Sequence, residues 1–127
     1  MAKVLGLGGV FFKAENPQAT RDWYTQVLGI DFEGWGGVVF RPEVAAAHPG
    51  AGTVFSPFDA SSDYFEPSAE PFMVNLMVDD LEAMLVRCAG HGVEPILHMP
   101  GEANGDFAHI MDPDGRKIEL WQPKPMS

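Results

Sequence analysis

The sequence predicts an α+β fold assembled from two βαβββ modules in tandem, and three observations predict it. The first is Asp112–Trp121, DPDGRKIELW. Pro113 presets φ early in a turn and Gly115 tolerates φ > 0 late in it, after which polarity alternates as in a two-faced strand. The second is a pair of helical stripes, Thr20, Trp23, Tyr24, Val27, Leu28 and Leu81, Met84, Leu85, Cys88, each spaced to bury one face. The third is internal repetition. Ala14-Glu15-Asn16 matches Val78-Asp79-Asp80 at an offset of 64, and Gly29-Ile30-Asp31 matches Gly92-Val93-Glu94 at 63. Repetition at this period implies two similar units rather than one irregular sheet.

Taken in order, Leu7–Lys13 reads as a strand. Asn16 then suits a helix N-cap and Pro17 the first helical position, where a missing N–H costs nothing. Gly29 ends that helix. Ile30–Glu33, Gly37–Arg41 and Thr53–Ser56 are the next candidate strands, with Pro42–Gly52 a longer loop carrying His48. Ser56–Pro71 holds three prolines and four acidic residues and reads as a linker. Its aromatics, Phe58, Tyr64 and Phe65, are either a lid over a pocket or pins that hold the linker down. The plan then repeats: a strand at Phe72–Val78, Asp80 as N-cap, a helix ending at Gly90 and Gly92, and a strand at Val93–His98. A loop at Pro100–Gly105 leads to a closing hairpin, Phe107–Met111 with Lys117–Trp121. Module one therefore covers about 7–57, the linker about 58–71 and module two about 72–123, in a single domain. If Ile118 and Leu120 face the core, Glu119 points the other way with Lys117 and Trp121, while Phe107, His109 and Met111 share its face.

Composition narrows the functions. At 127 residues, 46% hydrophobic and 20% charged, the chain is long enough for one cored, soluble domain. Eight Lys+Arg against eighteen Asp+Glu give a formal charge of −10, which argues against nucleic acid or an anionic membrane as partner. Cys88 is the only cysteine, so no intrachain disulfide forms and a reducing, cytoplasmic setting is expected. Its position in a helical stripe makes it a packed thiol. The first residues, MAKVLGLGGVFFK, read as a strand rather than a signal peptide, and no stretch is long enough to span a bilayer.

Two βαβββ modules closing on DPDGRKIELW resemble the vicinal oxygen chelate superfamily, that of glyoxalase I, bleomycin-resistance proteins and extradiol dioxygenases. The resemblance runs from Gly8 to Pro123. It is carried by Trp23-Tyr24 through Leu28-Gly29, by Val78-Asp79-Asp80-Leu81, and by Asp112-Pro113-Asp114-Gly115 with Ile118-Glu119-Leu120. It implies a curved, mixed eight-stranded sheet around a cleft, helices outside, and a homodimer. Some relatives build the cleft within one chain and others across two. It also implies metal ligands at Gly9, Val54, Met73 and Glu119, of which only Glu119 binds a hard divalent ion. A register slip of two residues brings in Phe11, Lys13, Ser56 or Asn75, of which only Ser56 and Asn75 are donors, and weak ones. Adding His109 still falls short of the three protein ligands of a catalytic zinc site. A divalent metal is disfavoured on these residues, and the cofactor stays undetermined.

Two functions follow, and the missing metal ligands favour the first. In one, a bleomycin-resistance-type protein holds an apolar or aromatic metabolite against Phe11, Met73, Asn75, Met77, His109, Glu119 and Trp121. In the other, a glyoxalase-type lyase or isomerase, or a dioxygenase-related enzyme, acts on a small carbonyl or thiol-conjugated substrate. There Glu119 moves a proton, aided by His109, with or without a metal. A satisfied His109–Glu119 pair with no chemistry is the plain alternative to both. His48, His91 and His98 read as structural.

Overall fold

A computed structural model of the chain describes residues 1–125. Helix α1 (Pro17–Leu28) begins where the sequence places it, with the Asn16 side chain accepting from Ala19 N at 3.1 Å. It stops at Gly29, whose φ of 74° is a left-handed conformation that favours glycine. Thr20, Tyr24, Val27 and Leu28 form its buried face. Helix α2 (Pro42–Ala46) is a single short turn of helix where a loop was expected. Pro42 at its start and a run of alanines, good helix formers, account for it.

The second half is laid out as β1 (Val74–Met77), α3 (Leu81–Gly90), β2 (Leu97–Glu102), β3 (Gly105–Met111) and β4 (Lys117–Pro123). Asp80 caps α3 by accepting from Ala83 N at 3.0 Å. The four strands make one mixed sheet in the order β1-β4-β3-β2, with β1 parallel to β4 and the other pairs antiparallel. Ala108, Ile110, Ile118 and Leu120 project from one face and close a core with Leu81, Cys88, Tyr24, Val27 and Leu28. Cys88 is fully buried, and burial pushes its thiol pKa up, as suits a packing residue.

One strand lies further along the chain than expected. Val93–His98 becomes Leu97–Glu102, because Pro95 has no N–H to give a ladder. β2 tolerates Pro100 because it is an edge strand. Its register breaks between Met99 and Glu102, where Gly101 N donates instead to the Asp106 carboxylate at 2.7 Å.

The turn between β3 and β4 ties the sheet to α1. Asp112 accepts from Asp114 N and Arg116 N, both at 2.9 Å, from Arg116 Nη1 at 2.7 Å and from the Tyr24 hydroxyl at 2.7 Å. Thr20 Oγ1 donates to Asp114, and Arg116 Nη2 reaches the carbonyl of Lys13. Gly115 has φ of 84°, as the turn requires.

Among the described residues, all four strands come from the second half. Leu7–Lys13, Ile30–Glu33, Gly37–Arg41 and Thr53–Ser56 join no ladder, although Glu33 N donates to Gly37 O at 2.8 Å across a small glycine turn. Ile30 and Phe32 pack partly against the core, but Phe11 is 93% exposed and Phe55 89%. β1 pairs along only one edge, with β4.

Candidate ligand-binding site on the open sheet face

Strand alternation sends Ile118 and Leu120 into the core and leaves Lys117, Glu119 and Trp121 on the opposite face. The registers set their neighbours. Glu119 lies between Asn75 on β1 and His109 on β3, and Trp121 between Met77 and Phe107. Leu97 and Met99 of β2 continue the same face beside His109 and Phe107. The sheet thus carries a polar row, Asn75–Glu119–His109, and beside it an apolar row, Met77–Trp121–Phe107–Met99.

The polar row is closely bonded. Glu119, 8% exposed, accepts from Asn75 Nδ2 at 2.7 Å on Oε1. On Oε2 it takes His109 Nε2 at 2.7 Å and the Tyr64 hydroxyl at 2.6 Å. Burial works against the Glu119 charge, but the hydrogen bonds from His109, Tyr64 and Asn75 outweigh it and hold the carboxyl below its ordinary value. An ionised Glu119 only accepts, so His109 donates from Nε2. Its Nδ1 is buried with no hydrogen-bond partner. Burial, followed by the adjacent Glu119, pushes the Tyr64 hydroxyl pKa up, so the phenol keeps its proton and donates.

Tyr64 arrives from the Ser56–Pro71 excursion, which the β4 cation pins in place. Lys117 Nζ donates to the carbonyls of Tyr64 at 2.6 Å and Glu66 at 3.0 Å. Burial draws the Lys117 pKa down, against the pull of Glu119 and Asp63. Within the excursion Phe58 stacks on Tyr64 with ring centroids 5.6 Å apart and packs on Phe65 at 5.1 Å. The Tyr64 ring meets His109 edge-on at 5.2 Å. In the apolar row the rings of Phe107 and Trp121 are parallel within 3°, and Trp121 Nε1 donates to Asn104 O at 3.0 Å.

Of the candidate residues, Asn75, His109 and Glu119 come together directly, and Met77 and Trp121 lie on the same face. Met73 stands just before β1. Phe11 stands exposed to solvent. Tyr64 belongs to the polar row, whereas the sequence reads it only as a lid aromatic or a pin for the linker. The linker's proline and acid content masked a side chain that closes a bond 55 residues away. Lys117 and Phe107, read only as face neighbours, complete the set. Among the described residues, no three His, Cys, Asp or Glu side chains gather as metal ligands. His109 and Glu119 are two donors already bonded to each other, which does not match a three-ligand zinc site. Two open surface hollows flank α1, one lined by Arg21, Asp31 and Glu33 and one by Trp23 and Pro113, and neither includes a residue of this cluster.

The remaining histidines have local partners. His98 pairs with Glu82 at 3.2 Å, His48 Nε2 lies 3.0 Å from the Pro123 carbonyl, and His91 forms the C-cap of α3. No helix among the described residues is long and apolar enough to cross a membrane.

No protein-family model and no curated protein matches the chain. Solved structures do. A glyoxalase/bleomycin resistance protein from Catenulispora acidiphila DSM 44928 matches at 22% identity over 84% of this chain and 88% of that one, with a TM-score of 0.45. TnmS3, an antibiotic binding protein from Streptomyces sp. CB03234, matches at 25% identity over 87% and 88%, with a TM-score of 0.49. TioX from Micromonospora sp. ML1 matches at 13% identity over 90% and 93%, with a TM-score of 0.52. In fold the chain is therefore similar to TioX.

Proposed function

We propose that this chain binds a small apolar or aromatic metabolite on the sheet face around Glu119, as a glyoxalase/bleomycin-resistance-like protein whose metal site has been lost. The observation that carries the reading is the pairing of two rows. A buried, ionised carboxylate with its donors sits beside the parallel rings of Phe107 and Trp121, which combines orienting polar groups with apolar contact area. Met73, Asn75, Met77, His109 and Trp121 line the site with Glu119. Phe11 joins them once the first-half segments complete an eight-stranded sheet, in a homodimer acting in a reducing cytoplasm.

The enzyme alternative asks Glu119, with His109, to take a proton. A carboxyl held below its ordinary value by three donors is a weak base, so the same bonds that suit binding oppose that role. The test is calorimetry with a panel of aromatic compounds on the wild type and Glu119→Gln. Ligand affinity is expected to fall by roughly 1–3 kcal/mol in the variant, as when a hydrogen bond to a charged group is lost. Unchanged affinity removes Glu119 from the site. Stoichiometric uptake of added Zn²⁺, Ni²⁺ or Mn²⁺ by the wild type restores the metal-dependent enzyme.

A further inference from the structure

We propose that Tyr64 is a built-in stand-in for the ligand, and that the ligand is a hydroxylated aromatic molecule whose ring and O–H displace those of Tyr64. The inference rests on the binding role assigned to the Glu119 face and names the ligand class for it. Tyr64 is itself a phenol, placed where a bound phenol would be held. Its hydroxyl donates to Glu119 Oε2 at 2.6 Å and lies 3.3 Å from His109 Nε2. Its ring has Phe58 stacked on it, His109 edge-on to it, and the Lys117 ammonium 5.2 Å from its centre. These are the contacts that recognise an aromatic ring with one donor hydroxyl.

The segment carrying Tyr64 is built as a strap rather than as part of the core. It has no helix or strand, and it is held to itself by turn-type backbone bonds, such as Ser62 N to Asp59 O at 2.9 Å and Ser68 N to Phe65 O at 3.0 Å, with two serine hydroxyl bonds and the packed rings of Phe58, Tyr64 and Phe65. Its polar ties to β3 and β4 are the Tyr64 hydroxyl and the two carbonyls on Lys117. With the strap in place Lys117, Glu119 and His109 are buried beneath it, and His109 Nδ1 has no hydrogen-bond partner. Ligand and strap therefore compete for one site, and any change that weakens the strap tightens the ligand.

The experiment is a calorimetric titration of wild type and Tyr64→Phe with p-cresol and with 4-methylanisole, which has a similar ring and no O–H. Tyr64→Phe is expected to bind p-cresol about tenfold more tightly, the size of one hydrogen bond to a charged group. 4-Methylanisole, with no O–H to give Glu119, is expected to bind both proteins more weakly than p-cresol while gaining by the same factor in Tyr64→Phe. Equal p-cresol affinity in the two proteins, or 4-methylanisole binding as tightly as p-cresol, overturns the stand-in role while leaving the sheet face as a binding site. No p-cresol binding to Tyr64→Phe also overturns it, and the wider reading is then judged by the aromatic panel on the wild type. Independently of any variant, p-cresol should speed amide deuterium exchange of residues 57–71 in the wild type. Slower exchange there also overturns the inference.

Discussion

Glu119 concentrates the chemistry of the chain in one side chain. Its pKa is lowered on folding, so its bonds stabilise the protein above the ordinary carboxylate range near 4.3, and that contribution is lost as pH falls through the lower folded value. Urea midpoints at pH 7 and pH 3 should therefore fall further for the wild type than for Glu119→Gln. Equal falls would show that the bonds carry no net stability. Sequence alone located Glu119, His109 and Asn75 because strand alternation and register place side chains two residues apart on one face. It did not place Tyr64 at the cluster, since a loop has no period from which a contact can be read.

Elements join through the β3–β4 turn. Asp112 there neutralises Arg116, orders the turn and anchors Tyr24 of α1. Asp112→Ala leaves the Arg116 guanidinium buried without its main counter-ion, so unfolding free energy should drop by about 3–5 kcal/mol. Chemical denaturation followed by circular dichroism measures this, and a loss under 1 kcal/mol would assign the turn's strength to its backbone alone. Burial and Asp112 push the Tyr24 pKa up, which makes its bond a source of stability below the ordinary tyrosine value near 10, lost as pH rises beyond it. The Tyr24→Phe variant should lose less stability between pH 8 and pH 11 than the wild type. The turn, both long helices and their caps were legible in the sequence because each rests on local chemistry. The first-half strands were equally well patterned, yet a strand needs a partner edge as well as a pattern, and that edge lies outside local reach.

At the scale of the whole molecule, surface is the outstanding quantity. The chain exposes 8861 Å², whereas a folded monomer of 13.8 kDa is expected to expose roughly 6,600 Å². The excess is comparable to what one subunit buries in a large obligate dimer interface. It coincides with Phe11, Phe40, Val54 and Phe55, on segments patterned as strands, and with the free edge of β1. Light scattering at micromolar concentration is expected to give twice 13.8 kDa, and Phe11→Asp with Phe55→Asp should return the mass to one copy. A wild-type monomer would mean that the first half closes on its own chain.

The strand order carries a consequence for how the chain reaches this state. β4 occupies an inner position, between β1 and β3, yet it is the last strand in the described chain. Val74 finds its partner Ile118 only after α3, β2 and β3 have been made, and the carboxylate of the polar row arrives on the same strand. During synthesis from the N-terminus, β1 and the apolar face of α3 therefore wait for β4, exposed, until almost all of the described chain has been made. Assembly is governed by long-range pairing, which is slow and leaves unfinished chains prone to associate. A nascent chain stopped at Arg116 lacks the inner strand altogether and should remain protease-sensitive, whereas release of residues 117–123 should confer resistance in a single step.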